Sequence, residues 1–192
     1  MNRLGRALLL GFAALIALFL VLSRWGSSPA PEPAAKRPEP PPRVAEDADG
    51  LVIPIAGVTA DRLYDSFAEP RGDGSRTHGA TDIMAPRGTP VLAAAAGRVE
   101  KLFDSAAGGR TVYIRSMDDG TVYYYAHLDA YAAGLAEGQV VKRGQIIATV
   151  GATGDADPGA PHLHFEIKRM KPGEKWYQGT AVNPYPILRG SR

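Results

Sequence analysis

Apolar and polar residues alternate with a period of two in the stretch PHLHFEI, residues 161–167. A strand turns successive side chains to opposite faces, so residues two apart share a face. The apolar set is Leu163, Phe165 and Ile167, and the polar set is His162, His164 and Glu166. The pattern predicts a strand whose apolar face packs in a core. The polar face is either an ordinary half-exposed surface or a site for chemistry.

A second strand pattern lies in TVYIRSMDDGTVYYYAHL, residues 111–128, where two β-branched and aromatic runs flank Asp119-Gly120. That pair of residues suits a turn with positive φ, so the stretch predicts a hairpin. Counting by twos from Tyr123 places His127 on the same face as Tyr123. His127 is then either a buried, hydrogen-bonded histidine or part of a site beside aromatic rings.

A third stretch, residues 138–151, has the sequence GQVVKRGQIIATVG and predicts another hairpin with Gly144 at its turn. Long runs with a helical period and internal repeats are both absent from the sequence after residue 50. The sequence therefore predicts an all-β domain, built as a compact antiparallel β-sheet, over residues 51–192.

The amino-terminal pattern is different, because an uncharged apolar run fills residues 7–23 and follows Arg3 and Arg6. We interpret residues 1–25 as an uncleaved signal anchor that spans the membrane, since Pro31 directly follows the best candidate cleavage position, Ala30. Arginines before the run keep the amino terminus cytoplasmic and direct the rest outward. The alternative is a cleaved signal peptide and a secreted protein.

Residues 26–50 are rich in proline and carry mixed charges, as in PAPEPAAKRPEPPPR. Proline lacks a backbone donor and favours extended polyproline II, which at about 3.1 Å per residue makes a semi-rigid spacer. We interpret this segment as a linker that holds the domain away from the membrane.

The composition of the chain limits which partners it can bind and which side chains could hold a metal. The chain has 22 basic and 20 acidic residues, so it lacks the positive charge that nucleic-acid binding requires, and we expect no such partner. It has no cysteine, so a transition-metal site would have to use imidazole and carboxylate groups.

His78 precedes Asp82 by four residues in a turn-rich stretch, and a turn followed by a short strand can bring the two together. All four histidines could then share one site.

Four segments, in this order, resemble the lysostaphin-type (LytM-like) zinc metallo-endopeptidases, which hydrolyse peptide bonds in bacterial peptidoglycan. They are HGATD, APRGTPV, YYAHL and GAPHLHFEI, and the resemblance covers roughly residues 51–188. Position by position, it implies that Zn²⁺ is held by His78, Asp82 and His164. It also implies that His127 and His162 are the catalytic histidines. Strand geometry alone would allow both His162 and His164 to bind metal, so leaving His162 without a metal rests on the resemblance.

The resemblance further implies hydrolysis of peptide cross-links through a water activated by zinc, with the peptide stems of peptidoglycan as partner. We expect a cell-envelope protein, anchored in the cytoplasmic membrane with its domain facing the periplasm or cell wall, that cuts D-alanyl-diaminopimelate bridges. The alternative is a non-catalytic envelope module that binds peptidoglycan or activates another wall hydrolase.

The sequence departs from the family pattern at two places. Glycine stands at Gly79, with Ala80 in the position where glycine is usual, and a tyrosine common before the first ligand is not evident. Arg76 is a candidate for binding an anionic oxygen in the cleft, and Glu166 is a candidate for orienting a ligand imidazole through its second nitrogen. A solvated arginine and a surface salt bridge are the plainer interpretations.

Overall fold

The structure is a computed structural model that describes residues 50–71 and 74–190, all within one compact unit, Val44–Arg192. The predicted anchor, residues 1–25, and the predicted linker up to residue 49 lie outside the described residues. Within the described part of the chain, no helix combines the length and the apolar character that crossing a bilayer demands.

Strands make up nearly all of the regular structure. In chain order they are β1 (Pro70–Arg71), β2 (Arg76–Thr77), β3 (Thr81–Met84), β4 (Pro90–Leu92), β5 (Gly97–Ser105), β6 (Gly109–Ser116), β7 (Thr121–Tyr131), β8 (Val140–Val141), β9 (Ile146–Val150), β10 (His162–Arg169) and β11 (Thr180–Val182). A 3-10 turn covers Ala60–Arg62, and a short helix, α1, covers Pro184–Gly190. The all-β prediction is therefore confirmed for the domain.

Nine strands form one antiparallel sheet. Six of them follow one another in the order β11-β10-β7-β6-β5-β8, and β3, β4 and β9 pair off this path. Strand β3 pairs with the first half of β10 and β11 with its second half, while β7 pairs along the other edge. Strand β9 joins the sheet through β7 and carries β4. The short strands β1 and β2 pair separately. Strand β10 is consequently an interior strand, paired on both edges.

The alternation in β10 appears as predicted. Leu163 and Phe165 are fully buried and Ile167 is nearly so, within one hydrophobic core that also contains Tyr125 and Leu128. Burying side chains of this size stabilises the fold by about 1.5–3 kcal/mol each. This packing fixes which face of β10 is left to line a cleft.

The predicted hairpin around Asp119-Gly120 is formed by β6 and β7, with Asp119 at φ 62°. The face predicted for His127 is wrong, however. A β-bulge in β7 places one extra residue opposite β6 between Tyr125 and Leu128, and His127 adopts a left-handed φ of 60°. Because the extra residue interrupts the period of two, Tyr123 and Tyr125 face the core while His127 faces the cleft.

The predicted hairpin over residues 138–151 is also wrong. Gly144 does turn the chain, with φ 76°, but β8 pairs with β5 and β9 pairs with β4 and β7. Strands β4 and β5 are neighbours along the chain, so the run 90–98 pairs first with β9 and then with β8. The two strands predicted to pair with each other instead pair with successive parts of this run.

Candidate metal centre

All four histidines of the chain line a single cleft, on the polar face of β10 and beside the bulge in β7. His78 precedes β3, and Asp82 lies within β3. His164 lies in β10 and is the cross-strand partner of Asp82. The antiparallel pairing of β3 with β10 therefore brings together residues that lie 82 positions apart.

Three potential ligand atoms converge at the centre of this cleft. The His78 Nε2 atom lies 2.9 Å from His164 Nδ1 and 3.0 Å from Asp82 Oδ1, and the His164 Nδ1 atom lies 3.1 Å from the same oxygen. In the described part of the chain, these three residues form a group able to hold a metal ion. The predicted ligand set is thus assembled in one place.

The turn before β3 aims His78 at this point. The backbone N–H of His78 donates to Glu69 O at 2.9 Å, and that of Gly79 donates to Phe67 O at 2.9 Å. Gly79 has φ 73°, in the left-handed region that favours glycine, so the chain reverses directly after His78 and enters β3. The shift of glycine to this position therefore suits the local turn.

Hydrogen bonds at the second ring nitrogens fix the tautomers of both candidate ligands. His78 Nδ1 donates to Ser66 O at 2.9 Å, and His164 Nε2 donates to Glu166 Oε1 at 3.1 Å. Carbonyl and carboxylate oxygens can only accept, so the remaining nitrogens turn lone pairs toward Asp82. Three electron-rich atoms facing one another need a cation between them, and this donor set fits a metal ion.

The two remaining histidines are held in the same manner. His127 Nδ1 donates to Thr153 O at 2.8 Å, and His162 Nδ1 donates to Ala160 O at 2.8 Å. Their ring centroids are 4.9 Å apart, and His162 Nε2 lies 3.9 Å from Asp82 Oδ1. Each imidazole therefore turns an Nε2 lone pair into the cleft beside the ligand group.

Burial and local charges set the protonation of the cleft. Burial lowers the pKa of His127 below its ordinary value, despite the partly opposing bond to Thr153 O, so this ring is neutral at neutral pH. Burial would raise the pKa of Asp82, but hydrogen bonds with His164 and His78 outweigh it and hold that pKa far below its usual range. Burial opposes protonation of His164, yet its bonds to Asp82 and Glu166 raise its pKa overall. Without a metal, a proton must lie between these facing atoms, and a bound metal would take its place.

Arg71 is a contact residue that the sequence analysis missed. Its Nη2 atom lies 2.8 Å from His78 Nε2 and 2.5 Å from Asp82 Oδ2. Arg76, the arginine predicted from the sequence, lines the cleft and is the cross-strand partner of Arg71 in the β1–β2 pair. No sequence signal distinguishes the two, because the register of such short strands follows from the turn between them.

Tyr124 forms one wall of the cleft and was also missed. Its ring meets that of His164 edge to face, with centroids 5.9 Å apart, and Lys168 Nζ lies 5.3 Å from its centre. Burial raises the pKa of Tyr124, so its phenol stays protonated. Lys168 also bonds Glu166 at 3.1 Å, so Glu166 belongs to a partly buried network with Lys168 and His164 rather than to an isolated surface salt bridge. The bulge explains the omission, since it reassigns the faces of β7.

Known proteins are similar to this chain in sequence. An L-Ala–D-Glu endopeptidase of Bacillus subtilis (strain 168) is 36% identical over 139 residues, which are 69% of this chain and 41% of that protein. The peptidoglycan DD-endopeptidase ShyC of Vibrio cholerae is 40% identical over 92 residues, 48% of this chain and 20% of that protein. The chain thus spans less than half the length of these two relatives.

A solved structure agrees with the sequence matches. The catalytic domain of the antimicrobial peptidase lysostaphin from Staphylococcus simulans matches with a TM-score of 0.56 at 32% identity, and the match covers 66% of this chain and 90% of that one. Residues 76–184, which include every residue predicted for the site, match the model of peptidase family M23. Since that match covers more than half of the sequence, the chain belongs to peptidase family M23.

Proposed function

We propose that this protein is a zinc-dependent endopeptidase that hydrolyses peptide bonds in bacterial peptidoglycan. The observation that carries the proposal is the convergence of His78, Asp82 and His164 within about 3 Å of one another, beside two histidines with free Nε2 atoms. A relative named as a peptidoglycan DD-endopeptidase and another named as an L-Ala–D-Glu endopeptidase support the substrate class.

Zinc is the metal that this ligand set suits best. Two imidazole nitrogens and one carboxylate oxygen match the three protein ligands of a catalytic zinc site, which leaves a fourth position open for water or substrate. A structural zinc site would be closed by four protein ligands, commonly thiolates, and the chain has no cysteine. The bond from His164 Nε2 to Glu166 is the outer-shell contact typical of a metal-binding histidine.

The two other histidines supply proton transfer. A zinc ion held by His78, Asp82 and His164 would supply Lewis acidity, which polarises a carbonyl group and makes water a stronger acid. His127 and His162 each keep Nδ1 bound to a backbone carbonyl, so Nε2 is the atom that exchanges protons in the cleft. One Nε2 accepts the proton of the attacking water, and the imidazolium so formed gives that proton to the leaving amine, directly or through the other Nε2.

The bond that is cut is proposed to be the D-alanyl-diaminopimelate cross-link. The chemistry of the cleft suits amides, because glycoside hydrolysis calls for two carboxylic acids and Asp82 is engaged with His78 and His164. The names of the relatives include both a DD-endopeptidase and an L-Ala–D-Glu endopeptidase, so the stem peptide offers a second candidate bond.

The test is digestion of purified sacculi by the zinc-loaded full-length chain, with release of peptides followed by mass spectrometry. We expect cross-linked dimers to disappear while glycan strands keep their length. The matched control is His164→Ala, which should release nothing. Shortened glycans with unchanged cross-links would refute the endopeptidase, and cleavage between L-Ala and D-Glu alone would refute the proposed bond while leaving the enzyme class. Wild-type protein that binds sacculi but cuts nothing would favour the non-catalytic module.

We also propose that the protein is held in the cell envelope by residues 1–25, with its domain on the outer side of the cytoplasmic membrane. The support is the sequence alone: Arg3 and Arg6 precede the apolar run, and Pro31 opposes cleavage after Ala30. Fractionation should recover the intact chain in the membrane fraction, accessible to protease from the outer side. A soluble form that begins near residue 31 would show instead that the segment is cleaved.

A further inference from the structure

The two oxygens of the Asp82 carboxylate have different partners. Oδ1 faces the ligand nitrogens, at 3.0 Å from His78 Nε2 and 3.1 Å from His164 Nδ1. Oδ2 accepts a hydrogen bond from Arg71 Nη2 at 2.5 Å. One oxygen is therefore directed to the centre of the metal site, and the other is already engaged by a permanent cation.

We propose that Arg71 is a positioning residue, which holds Asp82 through Oδ2 so that Oδ1 alone faces the metal. This inference rests on the proposed zinc centre. A carboxylate with both oxygens free can turn and bind a metal through both, which fills a position that hydrolysis needs open. A charge-assisted bond from arginine to one oxygen opposes that turn.

The hairpin of β1 and β2 places Arg71 for this role. Arg71 lies directly opposite Arg76, and one residue pair earlier Pro70 lies opposite Thr77. The next backbone hydrogen bond of the same hairpin runs from His78 N to Glu69 O at 2.9 Å. One short hairpin thus delivers both the first ligand and the arginine that restrains the second.

The Arg71 guanidinium makes its contacts with His78 and Asp82 through Nη2. Its Nε atom is buried and has no hydrogen-bond partner among the residues that the structure describes, and Glu69 Oε2 lies 4.0 Å from Nη2. A buried donor without a partner carries an uncompensated desolvation cost. The attraction between Nη2 and the ligand group must outweigh that cost to keep Arg71 in this position.

Arg71 also meets His78, and a metal changes that contact. Nη2 lies 2.8 Å from His78 Nε2, whose lone pair is the one that a metal would use. The metal and Arg71 cannot both use this lone pair, whereas Oδ2 of Asp82 is needed by Arg71 alone. With the metal in place, Arg71 therefore retains its bond to Asp82 and gives up the one to His78.

The test compares three variants of the full-length chain: Arg71→Gln, Arg71→Lys and the matched control Arg76→Gln. Zinc affinity is measured by competition with a chromogenic chelator, and metal geometry by the visible spectrum after cobalt substitution. We expect Arg71→Gln to lose about 10–100-fold in zinc affinity, as is usual when an outer-shell partner of a ligand is removed. Its cobalt bands should weaken, because a carboxylate that binds through both oxygens makes the site five-coordinate.

The conservative variant and the control show whether the effect is specific to the guanidinium of Arg71. Arg71→Lys keeps a cation and a donor, and should recover part of the affinity and of the cobalt spectrum. Arg76→Gln removes the same charge from the same hairpin and should leave both unchanged. Wild-type affinity or tighter zinc binding in Arg71→Gln, or an unchanged cobalt spectrum, would overturn the inference. Failure of the wild-type chain to bind zinc would instead refute the proposed centre. Equal unfolding temperatures without metal establish that the variants are folded.

Discussion

At the scale of single residues, the four histidines share one hydrogen-bonding pattern and differ in where one of the two ring nitrogens lies. In every case the other ring nitrogen donates to an oxygen, which belongs to Ser66, Thr153, Ala160 or Glu166. The free nitrogens of His78 and His164 meet at Asp82 Oδ1, whereas those of His127 and His162 remain beside it. The same side chain thus serves as a proposed ligand or as a proposed proton carrier according to its neighbours.

The first prediction separates these two roles. His127→Ala and His162→Ala should each retain about one zinc per chain but lose about 10²–10⁴-fold in turnover, the range typical of general acid-base catalysis. Elemental analysis and the rate of cross-link hydrolysis measure the two quantities. His164→Ala is the comparison variant, because it should lose zinc and activity together. Near-normal turnover in either of the first two variants would remove that histidine from the mechanism.

The second prediction concerns pH. The pKa of His127 is lowered by burial, so its ring should stay neutral and able to accept a proton at pH values below the ordinary 6.5 of histidine. As the pH falls through the lowered value, the ring gains a proton and kcat/KM should decline. The acid limb of the pH profile, measured on a soluble cross-linked peptide, should therefore lie below pH 6.5. An acid limb above that value would contradict the assignment.

The same shift affects stability in a defined direction. At pH values between the lowered pKa of folded His127 and the ordinary value of about 6.5, the unfolded chain binds more protons than the folded chain. The contribution of His127 to folding is therefore complete above about pH 6.5 and is lost as the pH falls. In His127→Ala, this part of the acid destabilisation should be absent from urea unfolding curves.

At the scale of elements, the position of His127 depends on how β7 packs against a neighbouring loop. Thr153 O accepts from His127 Nδ1, and the Thr153 hydroxyl donates to Leu128 O at 2.9 Å and accepts from Arg110 N at 3.0 Å. The next residue, Gly154, has φ 76°. This loop fixes the bulge and the histidine together.

The third prediction tests that contact with a pair of glycines. In Gly154→Ala, a Cβ would lie 2.2 Å from Ala107 O and 2.3 Å from Gly109 N, whereas in Gly173→Ala, at a similar φ of 83°, it would meet nothing within 4 Å. Both variants carry the left-handed strain of about 1–2 kcal/mol, so the difference isolates the clash. We expect Gly154→Ala to lose about 1–3 kcal/mol more stability than Gly173→Ala. Turnover should also fall in Gly154→Ala alone, because His127 loses its partner.

Local patterns predicted the strands well, because a strand reveals its faces through its own alternation. Strand β10 and the turn at Asp119 follow directly from the sequence. The partner of a strand is a different matter, since β8 and β9 pair with the run 90–98 rather than with each other. Pairing of this kind depends on the shape of the whole core and not on the strands concerned.

The candidate site likewise contains residues that could be predicted from the sequence and residues that could not. The resemblance selected His78, Asp82 and His164, and the structure brings them together, as it does His127 and His162. Arg71 and Tyr124 were missed for physical reasons. The first enters through the register of a two-residue strand, and the second through a bulge that shifts the faces of β7. Neither the register nor the bulge leaves a periodic signal in the sequence.

At the scale of the whole molecule, the proposed ligands tie distant parts of the chain together. His164 lies 82 residues from Asp82 and 86 from His78, and the three meet at the junction of β3 and β10. A metal that binds the folded state alone stabilises it by mass action, by about 2.7 kcal/mol when its concentration is 100 times Kd.

The fourth prediction follows from this linkage. Zinc should raise the unfolding temperature of the protein in proportion to the logarithm of its free concentration, and a chelator should lower it. Differential scanning calorimetry measures the effect. In His164→Ala, the unfolding temperature should no longer respond to zinc, which separates the centre from surface binding. An equal response in wild-type and variant would place the stabilising metal elsewhere.

Strand β10 also limits how the gene can change in length. Its side chains alternate between the core and the cleft, and both of its edges are hydrogen-bonded. Insertion or deletion of one codon inside it would exchange the two faces beyond that point, exposing Phe165 and burying His164 at once. Variation in length can therefore accumulate in the loop after β10, residues 171–179, but neither inside β10 nor beside Thr153 and Ala160, whose carbonyls hold His127 and His162.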